Sequence, residues 1–141
     1  MRVLVTGSRD WPDQERLWQA LDLVYEQYIH ERKTERKGLF MVVHGGAQGA
    51  DRMAMAWVRG KRRDGELNIY HEMHPAQWNQ NGKFVKAAGH QRNQRMVDKG
   101  ADLALAFIRN DSPGASGCLL MAARAGIPSE VHRINDLEGL T

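Results

Sequence analysis

Short apolar runs alternate with stretches of helical periodicity along most of the chain. Apolar residues at strand spacing predict five strands, at residues 3–5, 39–44, 67–73, 101–108 and 130–134. Apolar residues at helical spacing predict four helices between them, at residues 13–30, 49–59, 88–99 and 116–125. Because glycine readily adopts the left-handed backbone at a helix C terminus, Gly60 and Gly100 are predicted to end the second and third helices.

Strands that alternate with helices are typical of an α/β fold with a parallel sheet. We therefore predict a three-layer sandwich around a mainly parallel sheet of about five strands. The length of 141 residues fits a single domain over residues 1–141. In a doubly wound sheet the ligand binds beyond the carboxyl ends of the strands, where the strand order reverses. The candidate functional residues are therefore those that follow the predicted strands.

The turn after the second predicted strand is the main candidate for a ligand site. Residues 42–51 read Val-Val-His-Gly-Gly-Ala-Gln-Gly-Ala-Asp, and a helix is predicted after the glycines. Gly45, Gly46 and Gly49 allow a ligand to approach the backbone, and free amides at a helix N terminus attract anions. We predict a phosphate site here, with a tight turn that binds no ligand as the alternative. The pattern is neither the dinucleotide fingerprint nor a Walker motif.

Other strand ends add candidate ligand-binding residues. Asp51 either caps the predicted helix or accepts hydrogen bonds from ribose hydroxyls. The turn after the first strand offers a hydroxyl and a guanidinium for the same phosphate, although its arginine can instead pair with a nearby aspartate. The helix at 88–99 presents an arginine and an asparagine, and residues 112–117 form a second glycine-rich helix entrance. These additional candidates are Thr6, Gly7, Ser8, Arg9, Arg92, Asn93, Gly114 and Ser116.

Aromatic residues also follow two of the strands. Trp11 and Trp78 lie just past predicted strand ends, where an indole either stacks on a base or covers the core. Cys118 is the single cysteine, which excludes an intramolecular disulfide and a cysteine-based zinc site, and it is predicted to be buried. His71 and His74 have no obvious third ligand, so we predict neither a metal site nor a cofactor.

The net charge of +3 and the pI of about 9.2 favour anionic partners only mildly. Basic residues concentrate at 31–37 and 61–63, and we interpret both runs as solvated surface rather than a nucleic-acid patch. No run of about 18 apolar residues occurs, and the chain begins directly with a predicted strand. We therefore expect a cytoplasmic protein with no membrane partner.

Five motifs together resemble one family. They are Val-Thr-Gly-Ser-Arg-Asp-Trp at 5–11, His-Gly-Gly-Ala-Gln-Gly-Ala-Asp at 44–51, His-Pro-Ala-Gln-Trp at 74–78, Ala-Gly-His-Gln-Arg-Asn-Gln-Arg-Met at 88–96 and Ala-Gly-Ile-Pro at 125–128. The set resembles the YspA, cpYpsA-related branch of the SLOG superfamily, which also includes LOG phosphoribohydrolases and DprA/Smf DNA-processing proteins. The resemblance implies a Rossmann-like fold that binds a nucleotide-derived ligand similar to NAD or ADP-ribose, as a sensor or accessory domain.

The same resemblance leaves an enzymatic function open. LOG enzymes carry a catalytic arginine, which Arg92 resembles, and a Pro-Gly-Gly-x-Gly-Thr-x-x-Glu motif, which residues 112–121 resemble loosely without the final acid. By analogy with glycosidases, cleavage of an N-glycosidic bond requires a catalytic carboxylate, so the missing acid counts against hydrolysis. Asp51 offers a carboxylate from the other turn. If the protein is a LOG-like hydrolase of nucleoside monophosphates, Asp51 and Arg92 are the predicted catalytic residues.

Two kinds of macromolecular partner also follow from the resemblance. DprA-like binding of single-stranded DNA would use Arg62, Arg63, Arg92 and Arg95, and we weigh nucleic acid as the weaker alternative. SLOG-like folds often pair, which implies a possible homodimer with Trp18 or Trp57 as an apolar contact.

Overall fold

The computed structural model describes residues 1–31 and 38–136. Its main sheet has five parallel strands in the order β3-β2-β1-β6-β7, and a separate antiparallel hairpin pairs β4 with β5. The strands are β1 Arg2–Gly7, β2 Phe40–His44, β3 Ile69–Met73, β4 Asn79–Gln80, β5 Lys83–Phe84, β6 Leu103–Arg109 and β7 Ser129–Ile134. The helices are α1 Gln14–Glu31, α2 Ala50–Arg63, α3 Ala88–Asp98 and α4 Pro113–Arg124.

This architecture confirms the predicted Rossmann-like α/β sandwich with a parallel five-stranded sheet. In chain order, β2 and β3 are added to the sheet on one side of β1, and β6 and β7 are then added on the opposite side of β1. The strand order therefore reverses between β1 and β6. In folds of this kind, the carboxyl ends of these two strands border the ligand crevice.

Side chains that alternate along β1 bury both faces of the sheet. Val3 and Val5 pack into one apolar cluster with α1 and α2, whereas Leu4 packs with Met96 of α3 and Cys118 of α4 on the other face. The burial of Cys118 confirms its predicted place. Because both faces are covered by helices, only the ends and edges of the sheet remain available to a ligand.

Two predicted helix boundaries are wrong. Helix α2 continues through Gly60 to Arg63, and the left-handed residue that follows it is Gly65, at φ +93°. A glycine inside a helix costs only about 1 kcal/mol, which burial of the face carrying Trp57 offsets. Helix α4 starts at Pro113 rather than 116, because proline suits the first helical turn.

The long polar segment after β3 contains a hairpin that the apolar pattern did not predict. Its turn, Asn81-Gly82, has φ values of +54° and +76°. Asn-Gly with two positive φ angles is the preferred two-residue connection between antiparallel strands, so a local signal was present. The hairpin places Trp78 and Phe84 side by side.

Trp57, one of the two tryptophans suggested as an apolar contact between copies, is instead part of the core, because its side chain is only 2% exposed and its Nε1 donates to Asp22 at 2.9 Å. Trp18 is partly buried, and its Nε1 donates to the Met53 carbonyl at 2.8 Å. Of the basic run at 31–37, residues 32–37 lie outside the described residues. Within residues 1–31 and 38–136, none of the helices combines the length and apolar character needed to cross a membrane.

Candidate functional site

A cavity of about 670 Å³ opens beyond the carboxyl ends of β1 and β6. A second cavity of about 350 Å³ adjoins it on the side of the glycine turn at residues 45–49. Four residues line both cavities, namely Arg9, Ala47, Trp78 and Arg92. The combined groove lies at the point where the strand order reverses, which is the usual ligand position in this architecture.

Arg92 and Asn93 connect the walls of the groove through hydrogen bonds. The Arg92 guanidinium donates from Nη1 to the Gly45 carbonyl at 2.8 Å and from Nε to Asn93 Oδ1 at 2.8 Å. Asn93 Nδ2 donates in turn to the Gly114 carbonyl at 3.4 Å. Arg92 is buried, and this burial lowers its pKa. The structure therefore brings the predicted Arg92, Asn93, Gly45 and Gly114 into one hydrogen-bonded chain.

Asp51 lies in the wall of the larger cavity and is 6% exposed. Its Oδ2 accepts hydrogen bonds from the amides of Gly45 at 3.1 Å and Ala47 at 3.3 Å. Burial raises the pKa of the Asp51 carboxyl to about 6, against the opposing effects of these amides and of Arg92. Asp51 thus fixes the glycine turn and also presents a carboxyl group whose pKa is raised to about 6.

Much of the glycine turn is already bonded within the protein. The amide of Gly46 donates to His44 Nδ1 at 3.0 Å, while the amides of Gly45 and Ala47 donate to Asp51. Among the described residues, no acceptor bonds the amides of Gln48 and Gly49. Of these two residues only Gln48 lines a cavity, the smaller one, where Arg9 also lies.

Packing against other protein atoms restricts all three glycines, since a Cβ on Gly46 would also lie 2.6 Å from Met73 Sδ. A Cβ on Gly45 would lie 2.2 Å from Arg92 Nη1, and a Cβ on Gly49 would lie 2.4 Å from the Arg9 carbonyl oxygen. Gly46 has φ +69° and lines the smaller cavity together with Gly45. Gly49 lines neither cavity. Close approach of protein groups, in addition to any ligand, explains why this turn is glycine-rich.

The four candidate residues at the end of β1 and in the turn after it differ in whether they line a cavity. Thr6 and Gly7 line the larger cavity, and the exposed Arg9 extends along both cavities with its guanidinium 5.8 Å from the Trp78 ring centroid. Ser8 is 1% exposed and lines neither cavity. Its Oγ instead accepts a hydrogen bond from the Arg109 amide at 2.8 Å. Ser8 therefore joins β1 to β6 behind the site.

The turn between β6 and α4 supplies residues that the sequence analysis did not single out. Arg109 and Asn110 line the larger cavity together with Gly114, whereas Ser116 does not. Asn110 and Asp111 both have left-handed backbones, at φ +51° and +53°. In the part of the chain that the structure describes, Asn110 Oδ1 is the one buried side-chain polar atom without a hydrogen bond. This turn therefore stores strain beside the cavity, as turns at functional sites often do.

Behind the glycine turn, the buried His44 is hydrogen-bonded to the half-buried His71. His44 Nδ1 accepts from the Gly46 amide, so its Nε2 carries the proton and donates to His71 Nδ1 at 3.0 Å. Burial, followed by the nearby His71, lowers the pKa of His44 to about 4. Trp11 is likewise structural, since it is 2% exposed and packs edge-on against Phe107.

The four arginines weighed for DNA binding do not share one surface role. Arg92 is buried at the cavity floor, and Arg62 donates to the carbonyls of Leu67 at 3.2 Å and Ile69 at 2.9 Å. Arg62 and Arg63 line a separate depression beside α2, away from both cavities. Arg63 and Arg95 are both exposed, on α2 and α3 respectively, and so lie on different elements.

Comparison with known proteins identifies a family and a relative. The profile of the YspA, cpYpsA-related SLOG family matches residues 1–80. The chain is also similar to the Gene 61 protein of Mycobacterium phage D29, with 44% identity over 127 residues that cover 90% of this chain and 92% of the relative. No solved structure matched. The matched region contains β1, the glycine turn and Asp51, so the chain belongs to the YspA, cpYpsA-related SLOG family.

Proposed function

We propose that the protein binds a nucleotide or nucleotide-derived ligand, similar to NAD or ADP-ribose, in the groove beyond β1 and β6, as a sensor or accessory domain. The observation that carries this proposal is the cavity at the reversal of strand order, floored by the Arg92–Asn93 chain. Its volume of about 670 Å³ is typical of small-molecule sites. Membership of the SLOG family supports a nucleotide-related ligand.

The charge of the groove favours an anionic ligand. Of the residues that the structure describes, four basic side chains line the larger cavity, against two acidic ones. The basic residues are Arg9, Lys86, Arg92 and Arg109, and the acidic residues are Asp10 and Asp51. Arg9 remains exposed at the junction of the two cavities, where a guanidinium can form paired hydrogen bonds with a phosphate.

Gly114→Asp tests the proposal, because it places a negative charge in the cavity without a steric conflict. A Cβ on Gly114 meets no atom of the described residues within 4 Å, and an acid in the first turn of a helix is favoured by the helix dipole. We expect Gly114→Asp to weaken binding of AMP, NAD or ADP-ribose by about tenfold or more, as measured by calorimetry.

Gly114→Asn is the matched control, since it has the same shape without the charge. It is expected to bind the ligand more tightly than Gly114→Asp does. Equal affinities of the two variants would show that no anionic group lies near α4. Gly46→Asp is a poorer test, because a Cβ there would lie 2.6 Å from Met73 Sδ.

A LOG-like N-glycosidic hydrolase is the second candidate, and the pKa of Asp51 favours it. A carboxyl group that titrates at about 6 inside a cavity suits general acid–base catalysis. The first turn of α4 contributes no acid. Among the described residues, the carboxylates that line the larger cavity are those of Asp51 and the exposed Asp10.

Incubation with nucleoside 5′-monophosphates, followed by chromatography of the released base, distinguishes the two candidates. Asp51→Asn keeps a side-chain oxygen for the amides of the glycine turn while removing the ionisable group. Base release that Asp51→Asn abolishes supports hydrolysis. Tight binding without release by the native protein supports a sensor.

A further inference from the structure

The hairpin of β4 and β5 carries an aromatic pair that the proposed phosphate site does not use. Trp78, one residue before β4, and Phe84, at the end of β5, have ring planes 8° apart and centroids 6.0 Å apart. Both remain accessible, Trp78 at 37% and Phe84 at 75%. Exposed aromatic surface at the rim of a polar groove is typical of a ligand contact.

Trp78 is held at a defined position in the groove. Its ring edge lies against Gly89 of α3, where a Cβ would approach Trp78 Cη2 to 3.2 Å. The Val85 amide donates to the Trp78 carbonyl at 2.7 Å and closes the base of the hairpin. Trp78 lines both cavities, so its ring lies at their junction, beside Arg9.

These contacts place the Trp78 ring, with the Arg9 guanidinium over it at 5.8 Å from the ring centroid, at the junction of the two cavities. Every nucleobase has a π-face that stacks on an indole or on a planar guanidinium, whatever its hydrogen-bonding pattern. The floor of the groove, in contrast, consists of the polar chain of Arg92 and Asn93. A ligand with one flat apolar end and one anionic end matches both surfaces.

We propose that Trp78 stacks on the nucleobase of the bound nucleotide, with Arg9 beside it, and so selects ligands that carry a base. This inference rests on the proposed function, because it requires the sugar phosphate to occupy the groove. Single-stranded DNA would also stack on Trp78. The cavity at its edge and the burial of Arg92 favour a small nucleotide instead.

Calorimetry with AMP and with ribose 5-phosphate tests the inference, because the two probes differ by the base. Trp78→Ala is expected to weaken AMP binding by about tenfold while changing ribose 5-phosphate binding less than about twofold. Trp78→Phe, which keeps a stacking ring, should retain most of the affinity for AMP. AMP should also quench the tryptophan fluorescence of the native protein much more than that of Trp78→Phe, since Trp11 and Trp57 are buried and the half-buried Trp18 lines neither cavity.

Three outcomes would overturn the inference. If Trp78→Ala weakens both probes equally, Trp78 supports the groove rather than stacking on the base. If ribose 5-phosphate binds as tightly as AMP, the base makes no contact, and the proposed function alone survives. If neither probe binds but an oligothymidylate does so in a Trp78-dependent manner, the hairpin binds DNA and both proposals fail.

Discussion

Replacing Gly49 with alanine is expected to reduce the free energy of unfolding by about 3 to 5 kcal/mol. Gly49 has φ +76°, and an added Cβ would lie 2.4 Å from the Arg9 carbonyl oxygen and 2.5 Å from that of Ser8. Both neighbours are backbone atoms of the turn after β1, and the Ser8 carbonyl also accepts the Ala50 amide at 3.3 Å. The clash can be relieved only by separating the two turns that frame the groove. Urea denaturation followed by circular dichroism measures the loss.

Gly65→Ala separates the two causes of this loss. Gly65 has φ +93°, but within residues 1–31 and 38–136 a Cβ there meets no atom closer than 4 Å. Its substitution should therefore cost only the backbone strain, about 1 to 2 kcal/mol. If the two variants lost the same stability, the left-handed backbone alone would explain both losses, and the close contact between the turns would contribute nothing to the loss.

Gly49 also shows where prediction from sequence stops. The positions of the strands followed from the apolar pattern, because alternation along β1 divides Val3 and Val5 from Leu4 and requires two covered faces. A glycine in the sequence, however, indicates only that a Cβ is absent, and not which neighbouring atoms exclude one. What occupies the space at Gly45 is Arg92, which lies 47 residues away and reaches it only through the fold.

Asp51 and the hairpin mark two other limits. The position of Asp51 at the start of α2 is visible in the sequence, but its bonds to the amides of the glycine turn depend on how that turn folds back. The hairpin had a local signal, Asn81-Gly82, which the apolar pattern masks because β4 and β5 have only two residues each. Candidate residues were therefore predictable as a set, and their individual contacts were not.

The carboxyl group of Asp51 is buried in the proposed site, where its negative charge destabilises the folded protein. Asp51→Asn is therefore expected to raise the free energy of unfolding by about 3 kcal/mol at pH 8. The carboxyl titrates near 3.8 in the unfolded chain and at about 6 in the folded protein. Ionisation above pH 6 thus costs the folded state, and this cost disappears as the pH falls toward 4. Asparagine never ionises, so the advantage of the variant should shrink to about 1 kcal/mol at pH 4.5.

The difference between the two proteins isolates Asp51 from other titrating groups. The lowered pKa of His44, about 4, has the opposite effect, since it removes stability as the pH falls from 6.5 to 4. Glu72, whose pKa its bonds to Arg2 and His74 lower to about 2, likewise loses its contribution in acid. Both effects are present in each protein and cancel in the comparison. Urea denaturation at several pH values would contradict the prediction if the difference were independent of pH. A pH-dependent gain would show that the native chain gives up stability to keep a titratable carboxyl in the groove, which fits a group that serves the ligand better than the fold.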